Sequence, residues 1–409
     1  MRQAKKDLVL LSFFTIFSTL IVWLPFFLGL GGKNMLKVFA NYDGPYYLVV
    51  AKTLYEKSKI SSTFSLPTPL EYYPAHFPAY PLLIKLFNLL IPGPWAMLLV
   101  TVLSTCFAVS FFYLLLKKFR LSINPFWLSI CFLFLPARWL VVRSVGSPEP
   151  LFIGCILASF YFFKSAFNKK ENDLLFSFKN TTFDFFLSGL FGALAMATKT
   201  PGILLFISYI IYLLLFDSLE KKFNKQLPSK VTILSGRVNC DLIKKLKNLL
   251  YTWPLLIIPF PILPIFWFYK IKTGDFLAYF HSGDNFHLVF PPFQSFITGR
   301  NWIGDFWLED MVYIYFLGAL AIFQLIKLKH LDLATFAGVF FAATLFISHR
   351  DLSRYSLPLM PFSLIAFSPL LEKKEFRPVF FFILIPIYLY SINFISQNIA
   401  PIDNWTPYL

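Results

Sequence analysis

A chain of 409 residues that is 57% hydrophobic, 20% aromatic and only 14% charged has far fewer charges than the quarter or so expected of a soluble domain. It is read as a polytopic membrane protein. Its formal charge of +16 is assigned to cytoplasmic lysines and not to nucleic-acid binding, since no RNA- or DNA-binding signature accompanies it. The four cysteines, Cys106, Cys131, Cys155 and Cys240, form no CxxC pair, which argues against disulfides and against a metal site.

Apolar runs near 8–30, 93–116, 121–137, 148–167, 183–198, 201–216, 249–269, 311–326, 331–348, 355–371 and 378–396 predict an all-α protein of about 11 transmembrane helices. The first run is long for a signal peptide and no A-x-A-like site follows it, so it is expected to be retained. With the N-terminus inside, most Lys and Arg fall on inner loops, as the positive-inside rule asks. The outer side then carries loop 31–92, the short loop 138–147, loop 270–310 and the segment 349–354. The basic loop 217–248 is expected to rest on anionic lipid. One membrane domain is expected, with a catalytic part at 1–216 and C-terminal helices at 249–409. The break at Lys199-Thr200-Pro201-Gly202 has no partner elsewhere, which counts against a transporter of inverted repeats.

Taken in chain order, the first notable stretch is NYDGPYYLVVAK, residues 41–52, which puts Asp43 just beyond the first span. Asp is a favoured helix N-cap, so a capping role competes with a catalytic one. EYYPAHFPAYPLLIKL, 71–86, follows; its tyrosines, Tyr73 among them, suit an interfacial belt, whereas His76 is one of only five histidines. RSVGSPEPLF then puts Glu149 at the start of a span close to Arg143. A first-turn acid complements the helix dipole, yet an acid at a hydrocarbon boundary is costly unless it is used or neutralised. Tyr73, His76 and Arg143 are the candidates for positioning an acceptor or sugar. Beyond them, Lys199 in ATKTPGI and the run SHRDLSRYSLPLMP, with Arg350, Arg354 and Tyr355, gather cations on the outer side. Arginine grips phosphate bidentately and lysine binds it as a point charge.

An outer carboxylate beside an outer phosphate-binding cluster suits glycosyl transfer from a lipid-phosphate sugar. The carboxylate takes the acceptor hydroxyl's proton, and the cations stabilise the departing phosphate. No metal or other cofactor is expected. Four segments, NYDGPYYLVVAK, HFPAYPLL, SPEPLF and ATKTPGILL, resemble in order the motifs of the GT-C superfamily of integral-membrane glycosyltransferases, and more closely PIG-V-type mannosyltransferases and their prokaryotic relatives. The resemblance implies a polyprenyl-phosphate mannose donor, inversion at the anomeric carbon and Asp43 as catalytic base. It also implies Glu149 as a second active-site acid, and Lys199 and Arg354 facing the donor phosphate. The partners expected are that donor, a glycolipid, glycan or protein acceptor, and membrane lipid. The Lys/Phe/Ile-rich makeup suggests the plasma membrane of a prokaryote with the site outside, or a lumenal site in the endoplasmic reticulum of a eukaryote. Two other readings stay open: transfer of aminoarabinose or another modified sugar, and a flippase without chemistry.

Overall fold

A computed structural model describes residues 2–172, 177–216, 252–283, 288–296, 305–349 and 351–409. The basic loop 217–248, Arg350, Cys240 and parts of loop 270–310 lie outside the described residues. Among the described residues all regular structure is helical, with two isolated bridges, Asn41–Ile399 and Leu288–Ile347. In chain order the α-helices are α1 (Arg2–Phe27), α2 (Met35–Phe39), α3 (Gly44–Thr53), α4 (Lys57–Thr63), α5 (Ala79–Phe87), α6 (Gly93–Lys118), α7 (Pro125–Phe134), α8 (Ala137–Val142) and α9 (Glu149–Asn172). There follow α10 (Ser177–Thr198), α11 (Ile203–Ile211), α12 (Ile262–Thr273), α13 (Asp305–Lys327), α14 (Leu331–Leu345), α15 (Leu352–Tyr355), α16 (Met360–Ala366), α17 (Ser368–Leu371) and α18 (Phe376–Gln397).

Helices occupy every apolar run expected to span, but they do not make 11 uniform spans. By length and composition, 6 of the described helical stretches can cross a bilayer: Arg2–Phe27, Gly93–Lys118, Glu149–Phe167, Trp253–Thr273, Leu308–Lys327 and Phe376–Gln397. Proline explains much of the difference. The run at 355–371 breaks into Leu357–Leu359, α16 and α17, each with a proline at its start, because proline fits a first turn but removes an interior hydrogen bond. Shorter helices α7, α11 and α14 fill the bundle between the long ones. Apolar side chains such as Phe13, Phe17 and Leu24 on α1 and Phe381, Phe382 and Ile385 on α18 are exposed, as a lipid-facing surface requires.

The expected loop 31–92 is a folded cap. It shares a second core with α6 and α12, built from Tyr47, Val50, Tyr55, Ile60, Phe77 and Tyr80, all buried. The aromatic residues supply large apolar area, and each hydroxyl can still find a partner. Tyr55 donates to the His76 carbonyl at 2.6 Å, Tyr269 to the Pro74 carbonyl at 2.9 Å, and the Tyr80 hydroxyl lies 2.6 Å from Thr101 Oγ1. The end of α18 and the segment that follows it brace the cap. Asn41 donates to the carbonyls of Ile395 and Asn398, and Lys52 to that of Pro407. Asn41 is thereby fixed two residues before Asp43.

Candidate active site

Four elements that are far apart in sequence converge where the cap meets the bundle. Asp43 occupies the N-cap position of α3, but its side chain makes no capping hydrogen bond; the carboxylate is turned elsewhere. Arg354, on α15, donates to Asp43 Oδ2 from Nη1 and Nη2, each at 3.1 Å, and to Glu149 Oε1 from Nε at 2.7 Å. Lys199 Nζ reaches the same Glu149 oxygen at 2.7 Å. Glu149 Oε2 accepts from the Ser147 hydroxyl. Two acids and two cations thus form one charge-balanced cluster around a largely buried guanidinium. Such a set is tolerable in a dry setting because every charge is paired.

Local structure explains how each member arrives. Lys199 ends α10 in an extended conformation, and Thr200–Gly202 turn the chain straight into α11. A Cβ on Gly202 would lie 2.5 Å from the Met196 backbone, so only glycine lets the turn close this tightly. Tyr42 precedes Asp43 in the left-handed region, at φ 50°, a conformation costly for a bulky residue. It is held there by two arginines: Arg138 Nη1 donates to its hydroxyl at 2.8 Å, and the Arg354 guanidinium lies 4.4 Å from its ring centroid. Arg138 also pairs with Asp351 at 3.1 Å and donates to Ser353 Oγ at 3.1 Å. It therefore fixes α15, and with it Arg354, against the Asp43 loop.

The electrostatics follow from this geometry. Burial alone would raise the Asp43 carboxyl, but Arg354, helped by His76, outweighs it and holds the group below its ordinary value. Burial pushes His76 down from its ordinary value; Asp43 opposes that shift, while Arg354 and Lys199 add to it. Asp43 is a carboxylate at neutral pH.

Asp43, His76, Glu149, Lys199, Arg354 and Tyr355 line one cavity of about 410 Å³. Its other walls are mostly apolar, including Phe152 on α9, Leu204 on α11, Phe266 on α12 and Phe340 on α14. Six of the sequence candidates are therefore brought together, and the Lys199 ammonium lies 5.8 Å from the centroid of the Tyr355 ring. Two candidates are not. Arg143, expected beside Glu149, is fully buried and turned toward α1, where it donates to Thr19 Oγ1 and Ser18 Oγ, each at 2.8 Å, and to the Leu133 carbonyl at 2.8 Å. Its six-residue separation from Glu149 is undone by the turn between α8 and α9. Tyr73 is packed at 2% exposure against Tyr46 and is not among the lining residues. Arg350 lies outside the described residues. The sequence reading missed Arg138, Tyr42, Tyr47 and Ser147; a second arginine more than two hundred residues from the charged segment it faces leaves no local pattern, and only the fold pairs Arg138 with Asp351.

Comparison with known proteins agrees with this architecture. Residues 74–236 match the family described as Dolichyl-phosphate-mannose-protein mannosyltransferase. Among solved structures, the chain is similar to the oligosaccharyltransferase of Archaeoglobus fulgidus. Against that enzyme tethered to an acceptor peptide containing the NVT sequon, 96% of this chain and 56% of the other align, at 14% identity and a TM-score of 0.55. Against its apo form the shares are 98% and 57%, at 13% identity and a TM-score of 0.54. No curated protein sequence matches the chain. The family match covers less than half of the chain and the structural likeness is one of fold; by both, the chain is similar to the GT-C class of membrane glycosyltransferases. Within that class the chain spans little more than half the length of the oligosaccharyltransferase it resembles, and neither comparison reaches the finer likeness to PIG-V-type enzymes.

Proposed function

We propose that the protein is an inverting glycosyltransferase that moves a hexose, with mannose the leading candidate, from a polyprenyl-phosphate donor to an acceptor hydroxyl. The cap side, where Asp43 lies, is taken as the outer face. The observation that carries the reading is one cavity lined both by the joined charges of Asp43, Lys199 and Arg354 and by apolar walls on α9, α11, α12 and α14. A lipid monophosphate sugar combines the same two characters: an anionic head and a polyprenyl tail.

In this reading the acceptor oxygen attacks the anomeric carbon and its proton passes to Asp43. The bond from that carbon to the phosphate oxygen breaks, and the polyprenyl phosphate leaves with the electron pair. Lys199 uses one of three N–H donors on Glu149, and Arg354 uses three of five on the two acids. The remaining donors are available to the phosphate as charge builds on it. Both Glu149 oxygens are already engaged, so its role is to hold the two cations and not to carry a proton. The test uses the full chain in nanodiscs with radiolabelled short-chain polyprenyl-phosphate mannose and a native membrane extract. Label passing from the lipid to another molecule supports the reading. Donor left intact, with every lipid-linked sugar supplied, overturns it.

A further inference from the structure

Tyr80, in the segment HFPAYPLL, is fully buried and does not line the cavity, yet its hydroxyl connects to the charge cluster. The ring is fixed edge-on against Tyr47 at 5.0 Å. The hydroxyl lies 2.6 Å from Thr101 Oγ1 on α6. Thr101 Oγ1 accepts from the Ser147 amide at 3.4 Å, and the Tyr80 hydroxyl faces the same amide. The Ser147 hydroxyl donates to Glu149 Oε2, while Glu149 Oε1 accepts from Lys199 Nζ and Arg354 Nε, each at 2.7 Å. Residues 143–148, which carry Ser147, form a wholly buried turn between α8 and α9. The turn packs so closely on α6 that a Cβ on Gly146 would lie 2.3 Å from Met97 Sδ. Buried backbone amides need partners, and a side chain on α6 supplies the one for Ser147. The terminal torsion of a glutamate is broad, so two cations on one oxygen do not fix the carboxylate plane. The Ser147 hydroxyl on the other oxygen does.

We propose that Tyr80 is a positioning residue for the donor: acting through Thr101 and Ser147, it holds the Glu149 carboxylate in the orientation that presents Lys199 and Arg354 to a lipid phosphate. Without the phenol hydroxyl, Thr101 keeps its bond back along its own helix to the Met97 carbonyl, at 3.1 Å. The Ser147 amide then faces one oxygen instead of two, and a buried amide that loses support lets the turn shift. The Ser147 hydroxyl moves with its backbone, Glu149 turns, and both cations move together because one carboxylate oxygen holds them. Tyr80 of HFPAYPLL and Ser147 of SPEPLF thus meet across α6, although more than sixty residues separate them in sequence. The lipid phosphate as ligand is taken from the glycosyltransferase reading above.

The experiment measures the Kd of the full chain in nanodiscs for short-chain polyprenyl phosphate, alongside transfer of label from polyprenyl-phosphate mannose. It compares wild type, Tyr80→Phe, Ser147→Ala, the double variant and Tyr269→Phe. Tyr80→Phe is expected to raise the Kd about threefold to tenfold. Ser147→Ala is expected to raise it at least as much, and the double variant no further than Ser147→Ala alone, because both changes break one chain of contacts. Tyr269→Phe removes another buried hydroxyl from the cap core, the one that donates to the Pro74 carbonyl at 2.9 Å, and is expected to leave the Kd unchanged. An unaltered Kd in folded Tyr80→Phe, additive effects in the double variant, or an equal rise in Tyr269→Phe overturns the inference. If Tyr80→Phe does not fold, Thr101→Val, alone and combined with Ser147→Ala, supplies the same comparison. Label that never leaves the donor overturns the glycosyltransferase reading, while the Kd comparison still decides this inference. A wild type that binds no polyprenyl phosphate overturns both.

Discussion

Arg354 joins Asp43 to Glu149 through one guanidinium, with Nε 2.7 Å from Glu149 Oε1 and both terminal nitrogens 3.1 Å from Asp43 Oδ2. The two acids come from segments more than a hundred residues apart, and the link comes from a third. Lysine cannot reproduce this fork, because a single ammonium cannot meet two carboxylates with fixed planar geometry. Arg354→Lys is expected to lower kcat/KM at least about a hundredfold while the protein still folds; Arg354→Ala, which leaves Asp43 without its cation and Glu149 with Lys199 alone, is expected to cost about 3 kcal/mol of stability as well. Steady-state transfer and thermal unfolding in detergent separate the two effects.

The pH dependence follows from the same contact. The Asp43 carboxyl lies below its ordinary value in the folded protein. Its stabilising contribution is therefore complete above the unfolded value of about 4 and is lost as pH falls through the lower folded value. The kcat/KM profile for the donor is expected to show no acid limb from this group between about pH 5 and 7. A limb centred near 6 would mean that another group, or an Asp43 free of Arg354, is the base.

Much of this site was legible in the sequence. Asp43, Glu149, Lys199 and Arg354 stand out because charges at span boundaries need a use or a partner, and all four meet. The capping role for Asp43, which its position allows, is not taken up by its side chain. Arg143 was misplaced because nearness along the chain was read as nearness in space; the turn after α8 sends it to hydroxyls on α1. Helix count was less legible than helix position, since Pro358, Pro361 and Pro369 cut one apolar run into short pieces. The cap core was hidden too, because the tyrosines that build it look the same as an interfacial belt.

Gly202 controls where Lys199 points. A Cβ there would meet Met196 N and Cα at 2.5 Å, backbone atoms that cannot rotate aside. Gly202→Ala is expected to cost about 1–3 kcal/mol and to raise the donor KM by moving Lys199. Lys199→Ala should raise the donor KM without the loss of stability. Thermal unfolding alongside donor titration checks both, and a Gly202→Ala protein with native stability would contradict the packing described.

Arg138 acts at one remove, holding Tyr42 and Asp351. Arg138→Met retains apolar bulk against Phe394, 4.0 Å from the guanidinium, but leaves Asp351 without its cation. The expected result is a fall in kcat of about tenfold or more with substrate KM little changed, because the change misplaces Arg354 and touches no substrate. A variant with altered donor KM and normal kcat would place Arg138 at the phosphate.

The central claim is that Asp43 takes the acceptor proton, and Asp43→Asn tests it most directly. The amide keeps the shape but not the basicity, and it can still accept from Arg354. The measurement is turnover of labelled polyprenyl-phosphate mannose by wild type and variant, with donor binding followed in parallel. The account predicts a loss of about 10²–10⁴ in kcat with donor binding retained. Turnover equal to wild type would contradict it, and would leave Asp43 as a structural partner of Arg354.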